Sequence, residues 1–364
     1  GGRVKTGLLV EKTENGGYLS LVLQPPAELS AIARTPLELV FVVDTSGSMA
    51  GWPIETAKKA MLRALRNLNA EDTFQIIRFG NDSSAFSRAP LAATGENIRQ
   101  AADFVQNLQA SGGTMMIGGV KNALNFPHDP KRLRVVSFMT DGFIGNEAEI
   151  LAAVNQLLGP SRIFSFGIGS SVNRYLIDNL AKFGRGAVAY VTTNSSPIEA
   201  IDKFYDVIAH QTLNNVSIDL AGVKTSGGYP ERIPDLFIGR PVVVTGRFSG
   251  EMPETITVRG TVAGEPRLFK ARTDTGTEAK GISKLWARAR IADYSNRIIT
   301  EGPKNDLVYQ VRETALAHNL VSDYTSFVAV DGSRRTQGDH GFTVNVPVPV
   351  PEGVRYDTTV TPSR

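Results

Sequence analysis

Four short runs in the first half of this chain leave few folds open to it. They are Leu37 to Val43, with Glu38 its one polar residue, then Thr73 to Phe79 (TFQIIRF), Leu133 to Met139, and Arg162 to Ile168 (RIFSFGI). Mainly apolar runs of this length are strands buried on both faces. Helical periodicity separates them. After Pro53, the residues Ile54, Ala57, Met61, Leu65 and Leu68 recur at the helical period, as do Ile98, Ala101, Val105 and Leu108 over 97–109. Further helices are expected over 115–125, 147–158 and 173–183, with a short strand at 187–191 and a helix from Pro197 to about His210. This alternation predicts an α/β fold, a doubly wound, mostly parallel sheet with helices on both faces, over residues 35–211.

The texture changes after residue 212. Strand-like segments at 213–220, 241–248 and 254–262, separated by Gly and Pro turns, predict a β-sandwich-like domain over 212–346. It carries added helices over 278–299 (with Leu285, Trp286, Ala289 and Ile291) and 304–319, and a final strand pair at 325–330 and 342–348. A lone strand, GYLSLVL at 17–23, is closed by Pro25-Pro26 in a lead-in of residues 1–34. It is expected to pair with the later strands, so that the α/β domain is inserted in the β domain rather than simply followed by it. The tail, 347–364, opens in alternating Val and Pro, an extended polyproline-type pattern. With the Gly1-Gly2-Arg3 start, it reads as part of something longer.

Chemistry concentrates where the apolar runs stop. Leu37 to Val43 ends at Asp44-Thr45-Ser46-Gly47-Ser48, and Leu133 to Met139 ends at Thr140-Asp141-Gly142. In open parallel sheets ligands bind beyond the carboxyl ends of the strands. Thr114 follows Ser111-Gly112-Gly113, expected to close one helix, and is placed as the N-cap of the next. Asp44, Ser46, Ser48, Thr114 and Asp141 thus converge on one edge, offering two acids and three hydroxyls. Hard oxygens suit a divalent cation, and so few carboxylates favour the compact shell of Mg²⁺ over Ca²⁺. Such an ion keeps positive character and can take one more acidic oxygen from outside, at a position flanked by Gly47, Met49, Gly113 and Gly142.

Composition removes other classes. The chain has 39 basic and 36 acidic residues, and they are interspersed, so no basic footprint for nucleic acid exists despite a pI near 9.0. Without cysteine there are no disulfides, thiol nucleophiles or zinc thiolates. No run approaches the ~20 apolar residues of a membrane span. The four histidines are scattered, and the three sequons, at Asn81, Asn194 and Asn215, are no more than chance would supply.

DTSGS at 44–48, GGT at 112–114 and TDG at 140–142 resemble the metal-ion-dependent adhesion site of von Willebrand factor A domains. The resemblance implies a non-enzymatic binding module. In it Ser46, Ser48 and Thr114 ligate Mg²⁺ (or Ca²⁺ or Mn²⁺) through their hydroxyls, and Asp44 and Asp141 ligate directly or through water. It also implies a protein partner offering an Asp or Glu carboxylate, an extracellular, cell-surface or periplasmic setting, and a shift of the 197–210 helix coupled to the metal loops. The flanks GGYLSLVLQPP, KLWARARI (284–291) and NLVSDYTSFVAVD (319–331) are similar to inter-α-trypsin inhibitor heavy chains and their bacterial relatives. The VIT domain of those proteins is not represented, and no Asp-Pro-His triplet is present, so their esterification to hyaluronan does not carry over. Two rival functions stay open. One is a structural assembly module using the site within its own complex. The other is a Mg²⁺-dependent phosphatase of haloacid-dehalogenase type, which would need an acid where Ser46 stands.

Overall fold

A computed structural model describes residues 4–25, 35–142, 144–193, 211–219, 225–237, 240–252, 254–262, 265–273 and 276–328, with Glu199, Asp202 and Tyr205 singly. The chain divides into one compact unit, Gly1–Ser326, and a second, Phe327–Arg364. Every element below belongs to the first.

Two strands, β1 (Lys5–Thr13) and β2 (Gly16–Gln24), form a hairpin in which Thr13 pairs with Gly16. Then follow β3 (Leu37–Asp44), α1 (Trp52–Arg66), β4 (Thr73–Phe79), the short β5 (Ser83–Ala85) and β6 (Leu91–Ala92), and α2 (Gly95–Gln106). Next come α3 (Met116–Leu124), β7 (Leu133–Thr140), α4 (Glu147–Leu157), β8 (Arg162–Ile168), α5 (Arg174–Phe183) and β9 (Arg185–Val191). These strands make one sheet ordered β5-β4-β3-β7-β8-β9, with β6 also on β4. Neighbours from β4 to β9 are parallel; β5 and β6 are antiparallel additions at the edge.

Alternate residues of β3 divide between two cores. Leu39, Phe41 and Val43 pack with α1 and α2, and Val40 and Val42 with α3, α4 and α5. That division is why the run has no polar stripe and why helices cover both faces. Glu38 is the exception, and it is buried in an ion pair with Arg134, its register mate on β7.

Two helix boundaries differ from expectation. Helix α2 ends at Gln106, where Asn107 caps it by donating its side-chain amide to the Asp103 carbonyl at 2.8 Å. Ser111-Gly112-Gly113 therefore does not close that helix. The N-cap of α3 is Met115, not Thr114, and no side chain caps it. Thr114 lies outside the helix.

The rest of the unit is β10 (Gln211–Asp219), β11 (Thr225–Tyr229), β12 (Leu236–Phe237), β13 (Val242–Ser249), β14 (Thr255–Val262), β15 (Glu265–Arg272), β16 (Thr277–Glu278), α6 (Ile282–Glu301) and α7 (Asn305–Ala317). Its strands form two sheets, β11-β13-β2-β1-β16 and β12-β10-β14-β15. Leu8, Leu19, Leu21 and Leu23 of the first share one core with Leu213, Leu236, Ile256 and Val258 of the second, which makes a sandwich. In it β2 lies between β13 and β1, with Leu21 opposite Val244. Phe237 leaves the sandwich to pack in the α/β core, its ring 5.3 Å from that of Phe164. The expected strand at 342–348, the Pro-rich segment and most of the expected 197–210 helix lie outside the described residues, as do Asn194, His210 and His340. Residues 326–328 carry no strand.

Candidate metal centre

Because β3 and β7 are parallel neighbours with Val43 opposite Met139, their ends emerge side by side at the carboxyl edge. The first contact past them is direct: the Thr140 hydroxyl donates to Asp44 Oδ2 at 2.5 Å. Asp44 Oδ1 accepts the Ser46 N–H at 2.8 Å, an Asx-type turn that folds the loop back over its strand. Thr45 looks the other way, giving both its N–H (2.7 Å) and its hydroxyl (2.8 Å) to the Phe79 carbonyl on β4. The turn then tightens into a short 3-10 segment, Gly47–Met49, and the Ser46 and Ser48 hydroxyl oxygens stand 3.1 Å apart.

Backbone hydrogen bonds tie the Thr114 loop to this one. Gly47 N–H donates to the Gly112 carbonyl at 2.9 Å, and Ser111 N–H to the Thr45 carbonyl at 2.8 Å. With α2 already closed at Gln106, residues 111–112 can give these backbone groups to the Asp44 loop. On the other side, Asn173 N–H, at the start of α5, donates to the Asp141 carbonyl at 2.9 Å. Asn173 also caps α5 through Leu176 N–H and donates its amide to Glu147.

Of the five expected donors, Asp44, Ser46 and Asp141 are buried, Thr114 is half-buried and Ser48 is exposed. The flanking set needs correcting. Gly47 and Gly113 are exposed, but Gly142 is buried with φ +75° against Asn173, and Met49 has no exposed surface at all. The 3-10 turn rotates the Met49 side chain into the core beneath the loop, so it cannot border an incoming ligand. The exposed methionine on this edge is Met115, beside Thr114.

The electrostatics are unusual for so buried a group. Burial pushes the Asp44 carboxyl up, and the nearby Asp141 charge pushes the same way. Hydrogen bonds from Ser46 and Thr140 oppose both. No arginine or lysine among the described residues pairs with Asp44. No group of three or more His, Cys, Asp or Glu suited to a metal occurs among the described residues, and this donor set does not depend on one. Two carboxylates with hydroxyls suit a hard divalent cation. Adjacent ligands on an octahedral Mg²⁺ shell lie about 2.9 Å apart, given bonds of about 2.0–2.1 Å. The two serine oxygens are spaced close to that.

Residues 37–190 match the family described as von Willebrand factor type A domain. The solved von Willebrand factor type A protein from Catenulispora acidiphila has the same fold, with a TM-score of 0.57, 15% identity and 87% of each chain covered. This chain is a von Willebrand factor A domain protein, a class whose members commonly serve as protein-interaction modules and are generally not enzymes. A von Willebrand factor A domain-containing protein of Dictyostelium discoideum is 29% identical over 218 residues, covering 60% of this chain and 23% of the relative. Inter-alpha-trypsin inhibitor heavy chain H2 of Sus scrofa is 24% identical over 324 residues, covering 80% of this chain and 34% of its own. Along most of its length the chain is thus similar to inter-α-trypsin inhibitor heavy chains. It spans between 16% and 38% of the length of the curated relatives it matches.

Proposed function

We propose that the chain is a cation-dependent protein-binding module that captures an acidic side chain of a partner protein. Ser46, Ser48 and Thr114 would hold a divalent cation, Mg²⁺ in preference to Ca²⁺ or Mn²⁺, with Asp44 and Asp141 as its carboxylates. The ion would supply a positive charge with a coordination position left for a partner's Asp or Glu. One observation carries this reading: the Asp44 carboxylate is wholly buried beside a pair of hydroxyls and, among the described residues, meets only neutral donors. A cation would offset that charge, and hydroxyl ligands would leave it underneutralised and receptive to another acid. The parts assigned here are structural, so no step of catalysis is required. An extracellular or cell-surface setting belongs to the same proposal.

Pulldown of binding partners with and without chelator, followed by titration of Mg²⁺ into the purified protein, tests it. Asp141→Ala is expected to abolish Mg²⁺-dependent capture while the metal-free protein keeps its melting temperature. Capture that survives both chelator and this substitution would overturn the proposal.

A further inference from the structure

The hydroxyl of Thr114 belongs to no helix and closes a three-residue segment, Gly112-Gly113-Thr114, within the loop between α2 and α3. Something must hold it at the metal edge. Strand β4 leaves the sheet at Phe79, and the two residues after it hold the N–H groups of Gly113 and Met115, the neighbours of Thr114 on either side. The Gly80 carbonyl accepts Met115 N–H at 2.7 Å, and Asn81 Oδ1 accepts Gly113 N–H at 2.6 Å. Gly80 N–H in turn donates to the Asp82 carbonyl at 2.8 Å, a tight turn that presents Asn81 at its tip.

The loop is shaped to admit this side chain. Gly112 has φ +77°, and a Cβ there would lie 2.3 Å from Asn81 Nδ2 and 2.7 Å from its Cγ. Only glycine both adopts that backbone and lets the carboxamide approach. Gly112 also gives its carbonyl to Gly47 N–H, so the three residues are held between the Asp44 loop and Asn81. Asn81 itself is exposed, and it packs in none of the hydrophobic cores.

From this geometry we infer that Asn81 is a positioning residue of the metal centre, a latch whose carboxamide oxygen fixes the Gly113 peptide and thereby the Thr114 hydroxyl. The inference rests on the metal reading proposed above and adds to it the group that presents one ligand.

The test compares wild type, Asn81→Leu, which keeps the size and loses the acceptor, and Asn81→Asp, which keeps the acceptor. Two quantities are measured on each: Mg²⁺ affinity by calorimetry, and hydrogen exchange of residues 110–116 in the metal-free protein. Removing a group that orients a metal ligand typically weakens metal binding about 10–100-fold. Asn81→Leu is expected to bind Mg²⁺ at least about tenfold more weakly and to exchange Gly113 faster, with an unchanged metal-free melting temperature. Asn81→Asp is expected to retain both affinity and protection. Unchanged protection and affinity in Asn81→Leu would overturn the latch, and so would equal losses in both variants together with a lowered melting temperature. If wild type binds no Mg²⁺ while Asn81→Leu still exchanges faster, the metal reading fails and only the contact between Asn81 and the loop survives.

Discussion

Asp235, just before β12, has no exposed side-chain surface and receives two arginines, Arg162 from β8 and Arg185 from β9. Asp44, at the end of β3, is equally buried and receives none among the described residues. Around Asp235 the positive charge exceeds the negative, and neutral groups complete the network. Arg162 Nη2 donates to Asp235 Oδ1 at 3.1 Å and to Asn215 Oδ1 at 3.0 Å, and Asn215 N–H donates to Asp235 Oδ1 at 3.0 Å. The cluster sits where the sandwich meets the parallel sheet, close to the Phe164–Phe237 contact, and fastens one to the other. Burying an ion costs several kcal/mol unless charge and hydrogen bonds offset it. At Asp235 the protein supplies its own offset. At Asp44 it supplies hydrogen bonds and withholds the charge, a deficit that the proposed cation would make good.

The largest expected effect comes from breaking the compensated site. Asp235→Ala leaves Arg162 buried without its carboxylate, and loss of one partner of a buried pair costs about 3–5 kcal/mol. Urea denaturation should show that loss, with Mg²⁺ affinity of the folded protein unchanged. A loss below about 1 kcal/mol would remove the clamp side of the contrast. Next in size is Asp44→Asn, expected to weaken Mg²⁺ binding about 100-fold, or about 2.7 kcal/mol, in calorimetry. Its metal-free stability should not fall, because the amide removes an uncompensated buried charge while the Thr140 hydroxyl can turn to suit it. If this variant is instead destabilised as much as Asp235→Ala, the two aspartates are alike and the contrast fails.

How far each half of this contrast could be read in advance follows from where its partners lie in the chain. Asp44 and Asp141 each follow an apolar run, so the edge they share was legible as soon as the runs were recognised as parallel strands. Met49 was not, because nothing in a polar loop reveals that a 3-10 turn will send the next side chain inward. The Asp235 network has no motif, and its members Arg162 and Asp235 are 73 positions apart, on elements whose adjacency depends on how the sandwich docks. Asn81 and Gly113 are 32 apart, in two loops of the α/β domain that carry no shared motif. The hairpin that opens the chain is a different kind of omission. Asn15-Gly16 is a strong hairpin signal, but β1 (KTGLLVEKT) buries only Leu8 and Val10, too little apolar alternation to be noticed beside β2. Glu38 is the one polar residue of its apolar run, and its partner Arg134 is set opposite it by the β3–β7 register.

The smallest expected effect sharpens the contrast most, since it reads the missing charge itself. Burial raises the Asp44 carboxyl above its ordinary value of about 3.9. Below that value the side chain is protonated in both folded and unfolded chains. As pH climbs toward the raised folded value, the unfolded chain releases the proton while the folded chain keeps it, so each step upward favours unfolding. The contribution is therefore fully present at low pH and lost as pH rises through the folded value. Asp293, also raised by burial, and Glu11, held down chiefly by the Ser283 N–H, titrate in the same region with their own slopes. Subtracting the Asp44→Asn profile from wild type isolates Asp44. In chelator, wild type should lose stability relative to the amide variant as pH rises above about 4 and through the raised folded value. Millimolar Mg²⁺ should reverse that loss at the upper end, because the ion binds the ionised form. A difference profile that stays flat in chelator would mean that the neutral donors around Asp44 already offset its charge, leaving the site no electrostatic need for a cation.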